Sequence, residues 1–335
     1  MVAVTPVERA LTPRPVATSL DELLAGADSR EPFHTPDSKS GARFERVTIS
    51  GERLVLKHLH VDDDWIMRSS GDLGCRPLLV WRAGLLDVLP PGIDHAIVGA
   101  ATGLGRNGWG AALLMHDVSQ RLVPPGDGLL PAEQAERFLD HMAQLSARFW
   151  GFRDTIGLTP PVTRWQWFGP GMLDVEAARG FPEPVPRVAV EGWERFARRA
   201  RGDVARMVDD LRHDVGPLVD ALAGTPTTFL HGDWKLGNLG SRPDGRTILL
   251  DWAAPGEGPA CHDLAWYLAL NRARLPHSKE HAIGLFRRAL ERHGVETAGW
   301  WERQLGLCLL GALVLFGWEK ALGDAEELGW WCDRA

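Results

Sequence analysis

The spacing of hydrophobic residues indicates a strand-rich N-terminal part of the chain. Apolar and polar positions there alternate with a period of about two, as on half-buried strands, and glycine-containing turns separate the segments. The predicted strands cover residues 43–49, 53–59, 96–101 and 109–118. Residues 50–52 join the first two strands as a hairpin. Leucines at helical spacing predict a helix over residues 76–89, and a capping box at residues 19–22 predicts a shorter one.

From residue 131 the hydrophobic period changes to that of amphipathic helices. Helical patterns cover residues 131–150, 188–222, 260–273, 278–294 and 299–321. Two short strand-like pieces, residues 227–230 and 247–250, interrupt these patterns, and each leads directly into polar residues. The layout predicts an α+β fold with a β-rich N-terminal lobe over residues 1–116 and a mainly helical C-terminal lobe over residues 117–335. We expect the polar hairpin at the junction of the lobes.

Composition and charge exclude several classes of protein. The net charge is −7 and no run of Lys and Arg forms a basic patch, so we expect no nucleic-acid partner. The four cysteines are far apart and form no CxxC pair, which is typical of unpaired thiols in a reducing compartment. The longest apolar run, residues 305–318, is shorter than the about 20 residues that span a bilayer, and no signal-peptide pattern is present. We therefore expect a cytoplasmic protein without a membrane partner; the sequence leaves its oligomeric state open.

The polar residues after the two strand-like pieces contain the groups that phosphoryl transfer requires. The first cluster is the run HGDWKLGN at residues 231–238, and Asp251 follows the second apolar strand. Asn238 and Asp251 supply two oxygen ligands, a set that suits Mg²⁺ when water and phosphate fill the remaining positions. Asp233 on the same loop could accept a proton from a hydroxyl, and Lys235 could place its ammonium against a phosphate.

The order of these residues resembles the aminoglycoside phosphotransferase and choline kinase-like family, whose fold is similar to that of protein kinases. The family's catalytic loop is H-G-D-x-x-x-x-N, where protein kinases have H-R-D-x-x-x-x-N. The resemblance implies that Asp233 is the catalytic base and that Asn238 and Asp251 bind Mg²⁺. It also implies that His231 braces the catalytic loop and that Asp263 holds the backbone of this loop. The alternative is that turn-favouring residues merely join two strands here.

The same resemblance implies a nucleotide site in the N-terminal lobe. A strand lysine would orient the nucleotide phosphates, a preceding loop at residues 38–42 would contact them, and a hinge after the last strand would pair with adenine. The expected contacts are the side chain of Lys57, the loop residues Ser38, Ser40 and Gly41, and the main-chain groups of His116 and Val118.

One departure from the kinase pattern concerns the partner of Lys57. Kinases pair this lysine with a Glu on the next helix, but no Glu occurs between residues 53 and 131. Asp64 is the candidate for a shorter partner. Alternatively, the pair is lost and phosphate alone holds Lys57.

We interpret the chain as an ATP-dependent, or GTP-dependent, small-molecule kinase that uses Mg²⁺. The acceptor would be a hydroxyl group of an aminoglycoside, a sugar or an amino alcohol, bound by residues 151–226. Trp165 and Trp167 in this region either line the acceptor pocket or belong to the core. The alternative function is a nucleotide-binding module with weak or no catalysis, and Gly232 together with the absence of Phe-Gly after Asp251 disfavours a protein kinase.

The distribution of lysine adds modest support. Only five of the 37 Lys and Arg residues are lysines. Lys57 and Lys235 fall where a kinase-like fold needs an ammonium against phosphate, and Lys39 lies in the candidate phosphate loop. We expect Lys279 and Lys320 on helix surfaces.

Overall fold

The computed structural model describes residues 11–33 and 40–335. Its strands are β1 (Ala27–Phe33), β2 (Phe44–Ile49), β3 (Glu52–Leu59), β4 (Ile93–Asp94), β5 (Ile97–Leu104), β6 (Gly110–His116), β7 (Thr227–Leu230), β8 (Leu239–Ser241), β9 (Thr247–Leu249) and β10 (Gly256–Pro259). Its α-helices are α1 (Leu20–Leu23), α2 (Trp65–Ser69), α3 (Arg76–Arg82), α4 (Ala132–Arg148), α5 (Pro161–Arg164), α6 (Pro170–Ala178), α7 (Pro184–Arg199), α8 (Gly202–His213), α9 (Gly216–Ala223), α10 (Cys261–Asn271), α11 (Lys279–Arg292), α12 (Trp301–Leu322) and α13 (Ala325–Cys332). The architecture is the expected α+β fold, with a sheet in the N-terminal part and helices in the C-terminal part.

The N-terminal part is built on an antiparallel sheet with the strand order β1-β2-β3-β6-β5. The predicted hairpin is present as β2 and β3, whose register runs from Phe44 opposite Lys57 to Ile49 opposite Glu52. Lys57 thereby lies on a strand with partners on both sides, and its neighbour on β6 is Leu113. Pairing on both sides fixes the backbone of Lys57 within the sheet and so determines the face of the sheet from which its side chain extends.

Strand β1 was not predicted from the sequence. It pairs with β2 at the edge of the sheet, and its residues between the two ends are all exposed. An exposed edge strand has no buried face, so the period-two hydrophobic pattern that identifies strands is missing. Its position matters because the segment from residue 34 to residue 43, which contains the candidate phosphate loop, connects β1 to β2.

The predicted helix over residues 76–89 is shorter than expected. It consists of α3, a break at Gly84, and a 3₁₀ turn at Leu85–Val88. The capping box at residues 19–22 is present in part: the Ser19 hydroxyl accepts from the Glu22 amide, whereas the Glu22 carboxylate accepts from the amide and hydroxyl of Thr18.

The helical part is organised around α12, which packs against α7, α8, α9, α10 and α13. Among the described residues, α12 is the helix long and apolar enough to cross a membrane. However, 72% of its most apolar 18-residue window is buried inside the molecule, as in the core helix of a globular domain.

Candidate active site

A cavity of about 320 Å³ lies between the N-terminal sheet and the β8–β9 hairpin. Apolar side chains from both parts form its walls, including Val55 on β3, Met115 on β6 and Leu249 on β9. The predicted site residues that border it are Ser40, Lys57, His116, Val118, Lys235, Asn238 and Asp251. The cavity thus joins the candidate nucleotide residues of the first lobe with the candidate metal and phosphate residues of the second.

The run HGDWKLGN forms a loop that follows β7 and leads into β8. Leu239 pairs with Leu249 across the β8–β9 hairpin, and the Leu250 amide donates to the Asn238 carbonyl at 2.9 Å. These backbone bonds place Asn238 beside the chain segment that ends in Asp251. The two candidate metal ligands therefore lie next to the paired ends of β8 and β9, at one edge of the cavity.

His231 is buried and braces the loop from within. Its Nε2 lies 2.9 Å from the carbonyl oxygen of Leu250, and its Nδ1 accepts from the Asp233 amide at 3.3 Å. Burial lowers the pKa of His231, so the ring is neutral at pH 7. A neutral ring with its proton on Nε2 satisfies both contacts. This geometry gives His231 a positioning role behind the loop.

Asp263, at the start of α10, holds the loop backbone as the family resemblance implies. Its two carboxylate oxygens accept from the amides of His231 at 3.0 Å and Gly232 at 2.9 Å. Burial opposes the charge of Asp263, but the contact with His262 and the nearby His231 and Arg164 outweigh it and hold its pKa below the usual range. The carboxylate is therefore ionised when it binds the two amides.

The carboxylate of Asp233 is almost fully buried and receives three donors. Lys235 Nζ and Asn238 Nδ2 bind Oδ2 at 2.7 and 2.9 Å, and the indole Nε1 of Trp266 binds Oδ1 at 2.9 Å. Sequence reasoning missed this contact of Trp266. The only signal in the sequence is its position three residues after Asp263, which places both side chains on the same side of α10.

Lys57 pairs with Asp251, with Nζ 2.7 Å from Oδ1. Asp64, the candidate partner from the sequence, instead caps α2 by accepting from the amides of Ile66 and Met67. Burial disfavours the charged form of Asp251, but Lys57 and Lys235 outweigh this effect and hold its pKa below the usual range. For Asp64 burial is the stronger effect and raises its pKa, although the charge of Lys57 opposes it.

Two of the four main-chain groups predicted for the hinge have hydrogen-bond partners within the protein. The His116 amide donates to the Ala96 carbonyl at 2.9 Å, so it is already engaged within the sheet. The Val118 carbonyl accepts from the Arg121 amide at 2.8 Å. Any main-chain pairing with a base would therefore use the carbonyl of His116 and the amide of Val118.

Of the predicted phosphate loop, Ser38 and Lys39 lie outside the described residues. Ser40 borders the cavity, and its carbonyl accepts from the Trp65 amide. Gly41 is not among the residues that line the cavity. It has a φ of +89°, and a Cβ there would overlap the Asp63 carbonyl and lie 2.8 Å from the Glu183 carboxylate. Gly41 therefore packs against the segment before α2 and against the C-terminal part.

The donor set fits Mg²⁺ better than a softer metal. Asn238 and Asp251 offer hard oxygen ligands, which Mg²⁺ prefers. The Asp251 side chain keeps 32% of its surface exposed despite its pairing. Its φ of +60° is uncommon for a residue other than glycine, and such conformations concentrate at functional sites.

Four residues outside the cavity have structural roles. Trp165 and Trp167 are buried, with Trp165 against His262 and Trp167 edge-on to Trp266, so the core interpretation holds. The prediction that Lys279 and Lys320 lie on helix surfaces was wrong. Lys279 binds Glu327 at 2.5 Å and lies over Trp330, and Lys320 is buried with its ammonium on the Ala269 carbonyl.

The chain was compared with known families and solved structures. Residues 89–300 match the family described as "Phosphotransferase enzyme family". No similar sequence was found among proteins of curated function. A choline kinase, LicA from Streptococcus pneumoniae, has a similar fold, with a TM-score of 0.50 and 11% identity over 94% of this chain and 95% of that chain. The macrolide 2′-phosphotransferase MphH from Brachybacterium faecium aligns with a TM-score of 0.47 and 13% identity over 94% of this chain and 95% of that chain.

A third structure, a thermostable mutant of aminoglycoside phosphotransferase APH(4)-Ia with ADP and hygromycin B, aligns with a TM-score of 0.48 and 14% identity over 94% of each chain. At 11% identity the choline kinase structure establishes the fold alone. The family match covers more than half of the chain and includes the whole segment from His231 to Asp263. The protein therefore belongs to the phosphotransferase enzyme family.

Proposed function

We propose that the protein is a small-molecule kinase that transfers the γ-phosphoryl group of ATP or GTP to a hydroxyl group. One observation carries this proposal: Lys57, Lys235, Asn238 and Asp251 border one cavity, and the Asp233 carboxylate accepts hydrogen bonds from Lys235 and Asn238 beside it. The acceptor is a small molecule of the aminoglycoside, macrolide, sugar or amino alcohol class, in keeping with what the names of the similar structures state of those proteins.

The nucleotide would lie along the cavity with its base at the hinge and its phosphates towards Lys57. Apolar side chains of Val55, Met115 and Leu249 offer a slot for a purine ring. The phosphates then reach the corner where Lys57 and Ser40 border the cavity. Because Lys57 now pairs with Asp251, nucleotide binding would exchange that carboxylate for phosphate oxygens and free Asp251 to bind a cation.

Asn238 and Asp251 would hold Mg²⁺, which supplies positive charge to neutralise the phosphate groups. Asp233 would orient the acceptor hydroxyl and accept its proton as the new O–P bond forms and the bond to the leaving nucleoside diphosphate breaks. The ammonium of Lys235, on the same loop, would lie beside the charge that gathers on the transferred group. Burial favours the neutral form of Lys235, but Asp233 and Asp251 outweigh this effect and raise its pKa, so it remains protonated.

The test measures Mg²⁺-dependent release of ADP or GDP with a panel of hydroxyl acceptors. Asp233→Ala should lower the turnover number by at least about 100-fold, the usual contribution of a positioned general base. Asp244→Ala is the matched control, because Asp244 lies exposed in the β8–β9 turn and pairs only locally with Arg246. Full phosphotransfer by the Asp233→Ala variant would contradict the role assigned to Asp233.

A nucleotide-binding module with little catalysis is the second candidate function. The direct pairing of Lys57 with Asp251 favours it, because this pairing occupies both the phosphate-binding and the metal-binding side chain. The same panel separates the two functions. Clear nucleotide binding by calorimetry, with no turnover of any acceptor, would support the module and contradict the kinase.

A further inference from the structure

We propose that Trp266 is a positioning residue that fixes the carboxylate plane of Asp233 and thereby selects Oδ1 as the oxygen that takes the acceptor proton. This inference rests on the proposed kinase function and adds a residue to it. The observation behind it is the 2.9 Å hydrogen bond from the Trp266 indole to Asp233 Oδ1.

The hydrogen bonds to the Asp233 carboxylate are distributed unequally. A carboxylate has about four in-plane acceptor sites, two on each oxygen. Lys235 and Asn238 fill both sites of Oδ2, whereas Trp266 fills one site of Oδ1. Among the residues that the structure describes, no donor fills the second site of Oδ1, which is therefore available to a hydroxyl donor. In the reaction, the acceptor O–H proton passes to Oδ1 while the acceptor oxygen bonds to phosphorus and the nucleoside diphosphate leaves with the electron pair.

The indole is itself held in place by other rings. Trp266 meets Trp167 edge-on with centroids 5.3 Å apart and Phe316 edge-on at 4.7 Å, and it stacks on His262 at 5.7 Å. An indole fixed by three rings cannot follow a rotating carboxylate. It therefore resists rotation of the Asp233 side chain about its terminal torsion, which is intrinsically broad.

The neighbouring tryptophans offer a matched control. The indole nitrogen of Trp318 is buried and makes no hydrogen bond within the described structure. Trp318 belongs to the same aromatic cluster, because it packs on Phe168, which in turn packs on Phe316. Replacing either tryptophan by Phe shortens a buried ring system, but only the change at Trp266 removes a bond to Asp233.

The experiment compares Trp266→Phe, Trp318→Phe and Asp233→Ala in one assay. The assay uses an acceptor from the panel that the wild-type protein phosphorylates, or Mg²⁺-dependent ATP hydrolysis with water as the acceptor. Trp266→Phe should lower kcat by roughly 10- to 100-fold, the size of one hydrogen bond to a charged group. The KM values for nucleotide and acceptor should stay within about 2-fold of the wild type, since an orienting bond acts on the reaction step. Trp318→Phe should change neither constant by more than about 2-fold.

The outcomes separate this inference from the proposed function. If Asp233→Ala abolishes transfer while Trp266→Phe behaves like Trp318→Phe, the role of Trp266 is overturned and the kinase function stands. If Asp233→Ala retains full transfer, the base assignment fails and the role of Trp266 fails with it. A rise in both KM values with unchanged kcat in Trp266→Phe would also overturn the positioning role.

A second measurement decides the hydrogen bond without relying on turnover or on the folding of Trp266→Phe. In the spectrum of ¹⁵N-labelled wild-type protein, the indole N–H of Trp266 can be assigned through its ring protons. Asp233→Asn should displace this resonance and leave that of Trp318 in place. An unmoved Trp266 resonance would overturn the proposal.

Discussion

At the residue scale, the structure shows why position 232, between His231 and Asp233, is occupied by glycine. Its φ is +79°, and a Cβ at this position would overlap the carbonyl oxygen of Ala254. A side chain would therefore face both an unfavourable backbone conformation and a steric conflict with the segment after Asp251. The arginine that protein kinases have at this place does not fit this loop.

Gly232→Ala should lower the free energy of unfolding by roughly 2–4 kcal/mol, because strain in the left-handed region adds to the overlap with Ala254. Gly237→Ala is the control on the same loop, since Gly237 has an ordinary φ and no atom lies within 4 Å of the position that its Cβ would occupy. Urea denaturation measures both variants. Equal stabilities would contradict the steric argument.

At the residue scale, the sequence predicts where a side chain lies along the chain better than it predicts which distant side chain it contacts. Lys57, Lys235 and Asp233 were predicted as site residues from motif and spacing, because local sequence order determines their place on a strand and a loop. The partners of these residues depend on how distant segments meet. The contact of Lys57 with Asp251 joins residues 194 positions apart, and that of Trp266 with Asp233 joins residues 33 apart. In neither case do the neighbouring residues in the sequence identify the partner.

At the scale of elements, α10 supports the loop of residues 231–238. Three of its side chains bind the loop at successive points. Asp263 holds the amides of His231 and Gly232, Trp266 holds the carboxylate of Asp233, and Asn271 accepts from the Leu236 amide at 2.9 Å. These contacts tie the loop to the helix at three points.

Asp263→Asn should destabilise the protein by about 2–4 kcal/mol, because an asparagine amide would point a donor at one of the two loop amides. It should also lower kcat at least 10-fold by releasing the loop. Urea denaturation and the phosphotransfer assay measure the two effects. Asp333→Asn, at the exposed end of α13, is the control and should leave both quantities unchanged. A stable and fully active Asp263→Asn variant would contradict the supporting role of α10.

Hydrophobic periodicity predicted the type of the elements that have a buried face, but it did not locate the breaks between consecutive helices. The hairpin β2–β3 and the helices α4, α10 and α11 have the expected type because one face of each packs on the core or, for α10, all faces do. The predicted helix over residues 188–222 is three helices, α7, α8 and α9. Their separation is a matter of two short backbone breaks, at Ala200 and Asp214, that leave the apolar spacing almost intact. Hydrophobic periodicity therefore continues across them.

A buried ion pair connects α2 to the C-terminal helices. Arg68 binds Glu176 with Nε–Oε1 at 2.8 Å and Nη2–Oε2 at 3.0 Å, and Nη2 also lies 3.2 Å from Glu183. Glu176 is completely buried, and the Arg68 side chain is 8% exposed. Removing the arginine would leave two carboxylates without their counter-charge, which is costly in a buried site.

Arg68→Met should therefore lower the free energy of unfolding by about 3–5 kcal/mol, whereas the double variant Arg68→Met/Glu176→Gln should recover part of the loss. A double-mutant cycle in urea gives the coupling energy. Arg195→Met tests an exposed pair with Glu191 on α7 and should change stability by less than about 0.5 kcal/mol. Additive effects of the two changes at Arg68 and Glu176 would contradict a shared ion pair.

At the scale of the whole molecule, the site exists only where the two parts meet. The sheet supplies Lys57 and the hinge, the β8–β9 hairpin supplies Asn238 and leads to Asp251, and α10 lies behind Asp233. Each part is predicted from its own periodicity and motifs, but their relative placement follows from packing of the whole core. The cavity volume and the choice of ion-pair partners are therefore properties of the assembled molecule.

The assembled core also holds histidines that make stability depend on pH. His141, His231 and His262 are buried, and burial lowers the pKa of each. In the unfolded chain a histidine has a pKa of about 6.5. Between this value and the lower folded pKa, the unfolded state binds more protons than the folded state. The free energy of unfolding is therefore not reduced by these histidines above about pH 6.5, and it decreases as the pH falls below this value.

We expect the free energy of unfolding to decrease between pH 6.5 and pH 5, with a slope of up to about 1.4 kcal/mol per pH unit for each of the three histidines. Urea denaturation at half-unit pH steps measures the slope. His141→Gln should reduce the slope by the contribution of about one proton, because the buried His141 ring hydrogen-bonds to Thr247 at 2.7 Å and makes no hydrogen bond to residues 231–238 in the described structure. Exposed His213→Gln is the control and should leave the slope unchanged. A stability that stays constant from pH 7 to pH 5 would contradict neutral burial of these rings, since three buried imidazoles cannot remain unprotonated in the folded state without this linkage.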